Sequence, residues 1–133
     1  MVYNSQLFKF VGLMFKFKEL RVYQLAFEQA NDIFKISSHF PKEESYSLTS
    51  QIRRSSRSVC ANLAEAYRKR KYPAHFSLKL TDSDAENSET SVWIDFAEEN
   101  KYLPLEVIKL LHERNIEIGR LLGYMILHPE KFL

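Results

Sequence analysis

Residues 48–71 read LTSQIRRSSRSVCANLAEAYRKRK, and their spacing decides the fold. On a helical wheel at about 100° per residue, Ile52, Ser55, Val59, Leu63 and Ala66 fall within about 60° of Leu48. Arg53, Arg54, Arg57 and Arg68 fall on the other side, together with Ala61 and Ala64. The first side is a core face. The second mixes arginine with small residues, which let another backbone come close. A helix is predicted over about residues 45–71.

Three more helices follow by the same reasoning. One is predicted over 18–39, where Leu20, Tyr23, Phe27, Ala30 and Phe34 recur at three- and four-residue steps. It stops before Pro41, because a proline disfavours helix in the residue ahead of it. Another is predicted over 73–100, with Pro73 suited to its first turn. This helix has two apolar faces. Phe76, Leu80 and Ile94 form one, with Asn87 among them; Leu78, Ala85, Val92 and Phe96 form the other, nearly opposite. Two faces need two burial partners, and the second points to another subunit. The last helix is predicted over 104–127, where Ile108, Leu111, Ile118, Leu122 and Met125 make the stripe and Pro129 lies just beyond. The connections are short, so neighbouring helices are expected to pack antiparallel.

Composition agrees with this picture. The chain has 133 residues, the size of one domain, with 45% hydrophobic and 27% charged side chains. Three glycines and four prolines are too few for a turn-rich β architecture. The single cysteine, Cys60, excludes an intrachain disulfide, and a cytoplasmic protein is expected. No apolar run approaches the ~20 residues of a membrane span. Leu7–Phe17 is interrupted by Lys9 and Lys16 and is followed by no small-residue cleavage site, so it does not read as a signal peptide.

Net charge is only +2, but it is unevenly spread. Residues 42–71 hold eight lysines and arginines against three carboxylates; residues 72–100 hold Lys79 against seven. The two segments either neutralise each other, within or between subunits, or leave a basic surface for nucleic acid.

Tests for chemistry fail one by one. His39, His75, His112 and His128 include no i, i+4 pair of the kind a helical zinc site uses. Glu86 is followed three residues later by Glu89, and Glu65 by Arg68, so the Glu-x-x-His motif of di-iron bundles is missing. Ser55, Ser56 and Ser58 belong to no nucleophile motif. The glycines are isolated and form no phosphate loop. Cys60 reads as a packed thiol. No enzyme, metal or cofactor is expected. Two basic features remain. Arg53, Arg54 and Arg57 offer rigid donor forks for carboxylate or phosphate. Arg68-Lys69-Arg70-Lys71 suits the negative end of a helix dipole, yet four cations exceed what capping requires. All seven residues are candidate nucleic-acid contacts.

A family resemblance rests on several of these stretches. Phe40-Pro41-Lys42-Glu43-Glu44, Leu48-Thr49-Ser50-Gln51-Ile52-Arg53-Arg54 and Ser58-Val59-Cys60-Ala61-Asn62-Leu63-Ala64-Glu65 stand in order. Phe17-Lys18-Glu19-Leu20-Arg21-Val22-Tyr23-Gln24 precedes them; Glu89-Thr90, Trp93-Ile94 and Pro129-Glu130-Lys131-Phe132 follow. Together they resemble the four-helix-bundle proteins associated with intervening sequences of bacterial 23S ribosomal RNA genes. The resemblance covers about residues 15–133. It implies an antiparallel up-and-down four-helix bundle, a ring-like homo-oligomer such as a pentamer, and no established enzyme activity. The related accessory proteins of diversity-generating retroelements imply, by analogy, nucleic-acid binding through basic residues. One departure is Ala66, where the family usually has glycine, so the helix is expected to run unbroken toward Arg68. Residues 1–13 precede the usual start and Met14 stands immediately before the matching region, so residues 1–14 are expected to be a peripheral or disordered extension. The expectation is a non-enzymatic cytoplasmic homo-oligomer binding RNA or DNA. The alternative is a scaffold whose arginines pair with acidic residues of a neighbouring subunit.

Overall fold

The computed structural model describes residues 4–133. It is all-helical, with no strand among the described residues. In chain order the helices are α1 (Ser5–Met14), α2 (Arg21–Ser37), α3 (Leu48–Arg68), α4 (Pro73–Glu99) and α5 (Leu105–Leu127). Short 3-10 turns at Lys16–Glu19, Lys42–Glu44 and Pro129–Lys131 join or follow them. Four of these helices match the four expected; α1 is the fifth. Asn4 starts α1 by accepting a hydrogen bond from the Gln6 N–H at 2.8 Å, and none of its residues is buried. The first three residues of the expected extension lie outside the described residues.

The core is built by α2 to α5, which pack in the cycle α2–α3–α4–α5–α2. Every stripe residue read from α3 is buried: Leu48, Ile52, Ser55, Val59, Leu63 and Ala66. The α5 stripe is buried too, as are Phe76, Leu80, Asn87 and Ile94 of α4. Alanine at position 66 lets α3 continue to Arg68 without a bend.

The α2 stripe is a correction. Its buried face is Val22, Ala26, Gln29, Ala30, Ile33 and Ser37, which shares Ala30 with the expected stripe and otherwise lies one position away from it. Phe27 and Phe34 keep 54% and 45% of their surface exposed. Both rows have helical spacing, so periodicity alone cannot choose between them. The smaller row faces inward, where slim side chains suit close helix packing. The larger rings turn toward α3 and solvent.

A polar layer crosses the middle of the core. On one side Phe17, Val22, Ala26, Val59, Leu63, Phe76, Leu80, Ile118 and Leu122 belong to one apolar cluster. On the other, Ile33, Phe40, Leu48, Ile52, Ile94, Ala97, Ile108 and Leu111 form a second. Between them, each helix contributes polar groups that bond to another helix. Gln29 Nε2 donates to the Leu111 carbonyl at 2.8 Å. Ser83 Oγ donates to the Val59 carbonyl at 2.8 Å, and Thr90 Oγ1 bonds Ser55 Oγ at 2.8 Å. Asn87 and Asn115 reach across α4 and α5: Asn87 Nδ2 donates to the Asn115 carbonyl at 2.9 Å, while Asn115 Nδ2 reaches the Asn87 carbonyl at 2.8 Å and Oδ1 at 3.0 Å. Gly119 leaves room for this pair, since a Cβ there would stand 3.3 Å from Asn87 Nδ2. Buried polar groups are costly when unpaired, so sliding any helix by one turn would break several of these bonds at once. The layer therefore sets the register that apolar contacts alone leave loose.

Candidate nucleic-acid interface

The seven cations singled out in the sequence occupy three settings. Arg54 lies on the side of α3 that faces α4. Its NH1 donates to Glu86 Oε1 at 3.3 Å, its NH2 pairs with Glu89, and its Nε donates to Gln51 Oε1 at 3.3 Å. Glu89 and then Glu86 raise the Arg54 pKa, and Arg54 in turn holds the Glu89 carboxyl below its ordinary range. A phosphate reaching Arg54 must compete with two carboxylates of the same chain. Lys79 and Glu65 make a second α3–α4 bridge at 2.8 Å. For these residues the acidic segment neutralises the basic one inside the chain.

Arg53 and Arg57 form the second setting, on the α2 side of α3. Their guanidinium carbons lie 4.4 Å and 5.1 Å from the Phe34 ring centroid. Arg53 also donates from Nε to Ser37 Oγ at 2.8 Å and from NH2 to the Phe34 carbonyl at 3.2 Å. It is half-buried and tied to α2, whereas Arg57 is exposed. Arginine stacks well on aromatic faces. This explains why Phe34 stays outside the core: its ring serves the two arginines.

The third setting is the end of α3. Arg68 closes the helix, and the N–H of Lys69 donates to the Ala66 carbonyl at 2.9 Å. Arg70 donates from Nε to the Tyr67 carbonyl at 3.3 Å and lies 4.3 Å from the Tyr67 ring centroid. Arg68 lies 5.4 Å from the ring centroid of Phe10 on α1. Lys69 and Lys71 are exposed. Among the described residues, none of these four cations is ion-paired. Beside them stands the exposed ring of Tyr72, with His75 at 6.1 Å in an edge-on arrangement. Cations interleaved with exposed rings are what an unpaired nucleic-acid strand requires, one for phosphate and the other for base stacking.

Two arrangements escaped the sequence. Arg114 is buried on α5 and reaches α2, 2.7 Å from Asp32 Oδ2 and 3.4 Å from Glu28 Oε1. It fills the gap in the α5 stripe between Leu111 and Ile118, where an apolar residue is expected. Asp95, Glu98 and His112 bring one ligand atom each within 4.8 Å of one another. Search for i, i+4 histidines could not see this trio, because it joins α4 to α5. The His112 Nε2 contact with Asp95 Oδ1, at 3.1 Å, accounts for the approach, and both acids are exposed. No helix among the described residues is long and apolar enough to cross a membrane.

Fold and site together define a small all-helical protein with a run of cations at the end of one helix and on its following turn that makes no ion pair among the described residues. The chain belongs to the 23S rRNA-intervening sequence protein family, whose profile matches residues 18–124. It is also similar to a solved structure, a protein of unknown function from the S23 ribosomal protein family of Bacteroides thetaiotaomicron VPI-5482. That similarity has a TM-score of 0.72 and 27% identity, and covers 79% of this chain and 94% of the other. Comparison with curated proteins finds no match.

Proposed function

We propose that this protein is a non-enzymatic, cytoplasmic four-helix bundle that assembles into a ring-like homo-oligomer such as a pentamer and binds RNA or DNA through phosphate contacts. The observation that carries the reading is the end of α3, where Arg68, Lys69, Arg70 and Lys71 stand beside the exposed Tyr72 ring with no carboxylate partner among the described residues. Arg54 contributes charge to α3 but is engaged by Glu86 and Glu89, so it ranks below the terminal run as a phosphate contact. The family's association with a ribosomal RNA insertion favours RNA as the first ligand to try.

The scaffold alternative, with arginines paired to a neighbour's acids, draws its support from Arg53 and Arg57 rather than Arg54. Gel retardation of a labelled single-stranded RNA separates the two. The binding reading expects retardation at low salt, with log K falling by about 0.7 per phosphate contact for each unit of log salt. Reversing Arg68, Lys69, Arg70 and Lys71 to glutamate abolishes it, while Arg54→Met leaves it within about twofold. No retardation at low salt, or retardation indifferent to the fourfold reversal, removes the proposal.

A further inference from the structure

α4 is apolar on two sides, and the structure covers only one. Phe76, Leu80 and Ile94 lie in the core. Leu78, Ala85, Val92 and Phe96 lie within about 40° of a single line along the opposite side. Leu78, Val92 and Phe96 keep 56%, 46% and 51% of their surface exposed. The row recurs at seven- and four-residue steps along most of a 27-residue helix, with exposed Thr81 and Ser88 between its members. Carboxylates border it: Asp82 and Glu89 along one edge, Asp95 and Glu99 along the other. Glu89 is held by Arg54 and Asp95 by His112, while Glu99 makes no ion pair among the described residues.

A surface of opposite character lies between α2 and α3. Here a groove of about 400 Å³ is lined by Tyr23, Phe27, Ala30, Arg57, Ala61 and Ala64, among others. Arg57 is the charged residue in its lining, and Arg53 lies beside it on the Phe34 ring. Ala61 and Ala64 give the groove a low floor. This is the mixture of arginine and small residues on α3 that a solvent face does not call for.

We infer that the outer row of α4 in one copy docks into the α2–α3 groove of a second copy. The inference rests on the self-assembly proposed above and adds which two surfaces meet. Charge decides the pairing. An α4 row against another α4 row sets carboxylates against carboxylates; a groove against a groove sets Arg57 against Arg57. Only the unlike pairing brings apolar to apolar and acid to guanidinium. Because the two surfaces are different parts of one chain, the contact is head to tail, and each copy offers one of each. Such contacts repeat until a ring closes. Arg54 is taken up by Glu86 and Glu89 of its own chain, so Arg57 rather than Arg54 is the guanidinium offered to a neighbour's acids.

The test uses two variants of the full chain. Val92→Glu with Phe96→Glu spoils the α4 row; Phe27→Glu with Arg57→Glu spoils the groove. These four positions are exposed, so folding should survive, and far-ultraviolet circular dichroism checks it. Should either variant lose helicity, Ala85→Lys and Ala61→Glu, exposed on the same two surfaces, replace them. Light scattering after size exclusion then gives the masses. The wild type should be oligomeric, and each variant should fall to the 15.7 kDa of one chain. An equimolar mixture should form a one-to-one dimer and nothing larger, since a single intact junction remains between an unspoiled row and an unspoiled groove. A monomeric wild type overturns self-assembly and this pairing with it. An oligomeric wild type whose variants stay assembled, or whose variants are monomeric and do not combine, overturns the pairing alone.

Discussion

Truncating Asn87 to alanine tests the register layer directly. The change removes two hydrogen bonds, from Asn87 Nδ2 to the Asn115 carbonyl and from Asn115 Nδ2 to Asn87 Oδ1. It leaves the bond from Asn115 Nδ2 to the Asn87 backbone carbonyl. Each lost bond contributes about 1 kcal/mol. The space left by the amide in a closed core adds about 1 kcal/mol more. Asn87→Ala should therefore cost about 3 kcal/mol, a large part of a domain's usual margin. Asn115→Ala loses both Nδ2 bonds and should cost about the same. One bond, Asn115 Nδ2 to Asn87 Oδ1, is counted in both single changes. The double variant should then be more stable than the sum of the singles predicts, by about 1 kcal/mol. Urea unfolding at one fixed protein concentration measures all four species, the fixed concentration holding the contribution of assembly constant. Single costs below about 1 kcal/mol, or additivity within about 0.3 kcal/mol, would refute the account of the layer.

Two further outcomes follow from the side chains around it. Arg54→Met should cost about 1 kcal/mol at neutral pH, a modest value because the pair is partly exposed. Since the fold lowers the Glu89 pKa, this contribution is present above the unfolded carboxyl's value of about 4.3 and is lost as pH falls through the lower folded value. Urea midpoints of wild type and variant should thus converge as the pH falls below the ordinary carboxyl range; a gap that persists unchanged through that fall would rule out the Glu89 pairing. Cys60, buried enough to push its thiol up to about 11, should alkylate at pH 8 some two to three orders of magnitude more slowly than a free thiol of pKa about 8.5. Iodoacetamide uptake, followed by mass with and without denaturant, reads this, and equal rates in both would contradict the burial.

The helices were legible because their apolar spacing is local information. α3 could be read almost residue by residue, since it has one helical row and only one way to turn it inward; the buried row of α5 was read as well, although Leu105, Leu110, Ile116 and Leu127 stand exposed on its other sides. α2 could not, because it carries two rows one position apart; choosing between them needs the packing distance to its neighbours. The polar layer was visible only at Ser55 and Asn87, polar residues within apolar stripes. Gln29, Arg114 and Asn115 look like surface residues until partners on other helices appear. The same limit applies to the basic site. Charge bias along the chain was plain, but Arg54's carboxylates lie 32 and 35 residues away, and no local pattern says which arginine they take. The run Arg68–Lys71 was readable because its significance depends on its own position at a helix end.

Trp93, the one tryptophan in the chain, sits at the edge of the outer α4 row, with Phe96 at a ring-centroid distance of 6.0 Å. The molecule thereby carries its own optical reporter on the flank where a second copy is inferred to dock. Its emission colour tracks how wet that flank is, so dilution of unlabelled protein records assembly and disassembly without a dye or an added mutation.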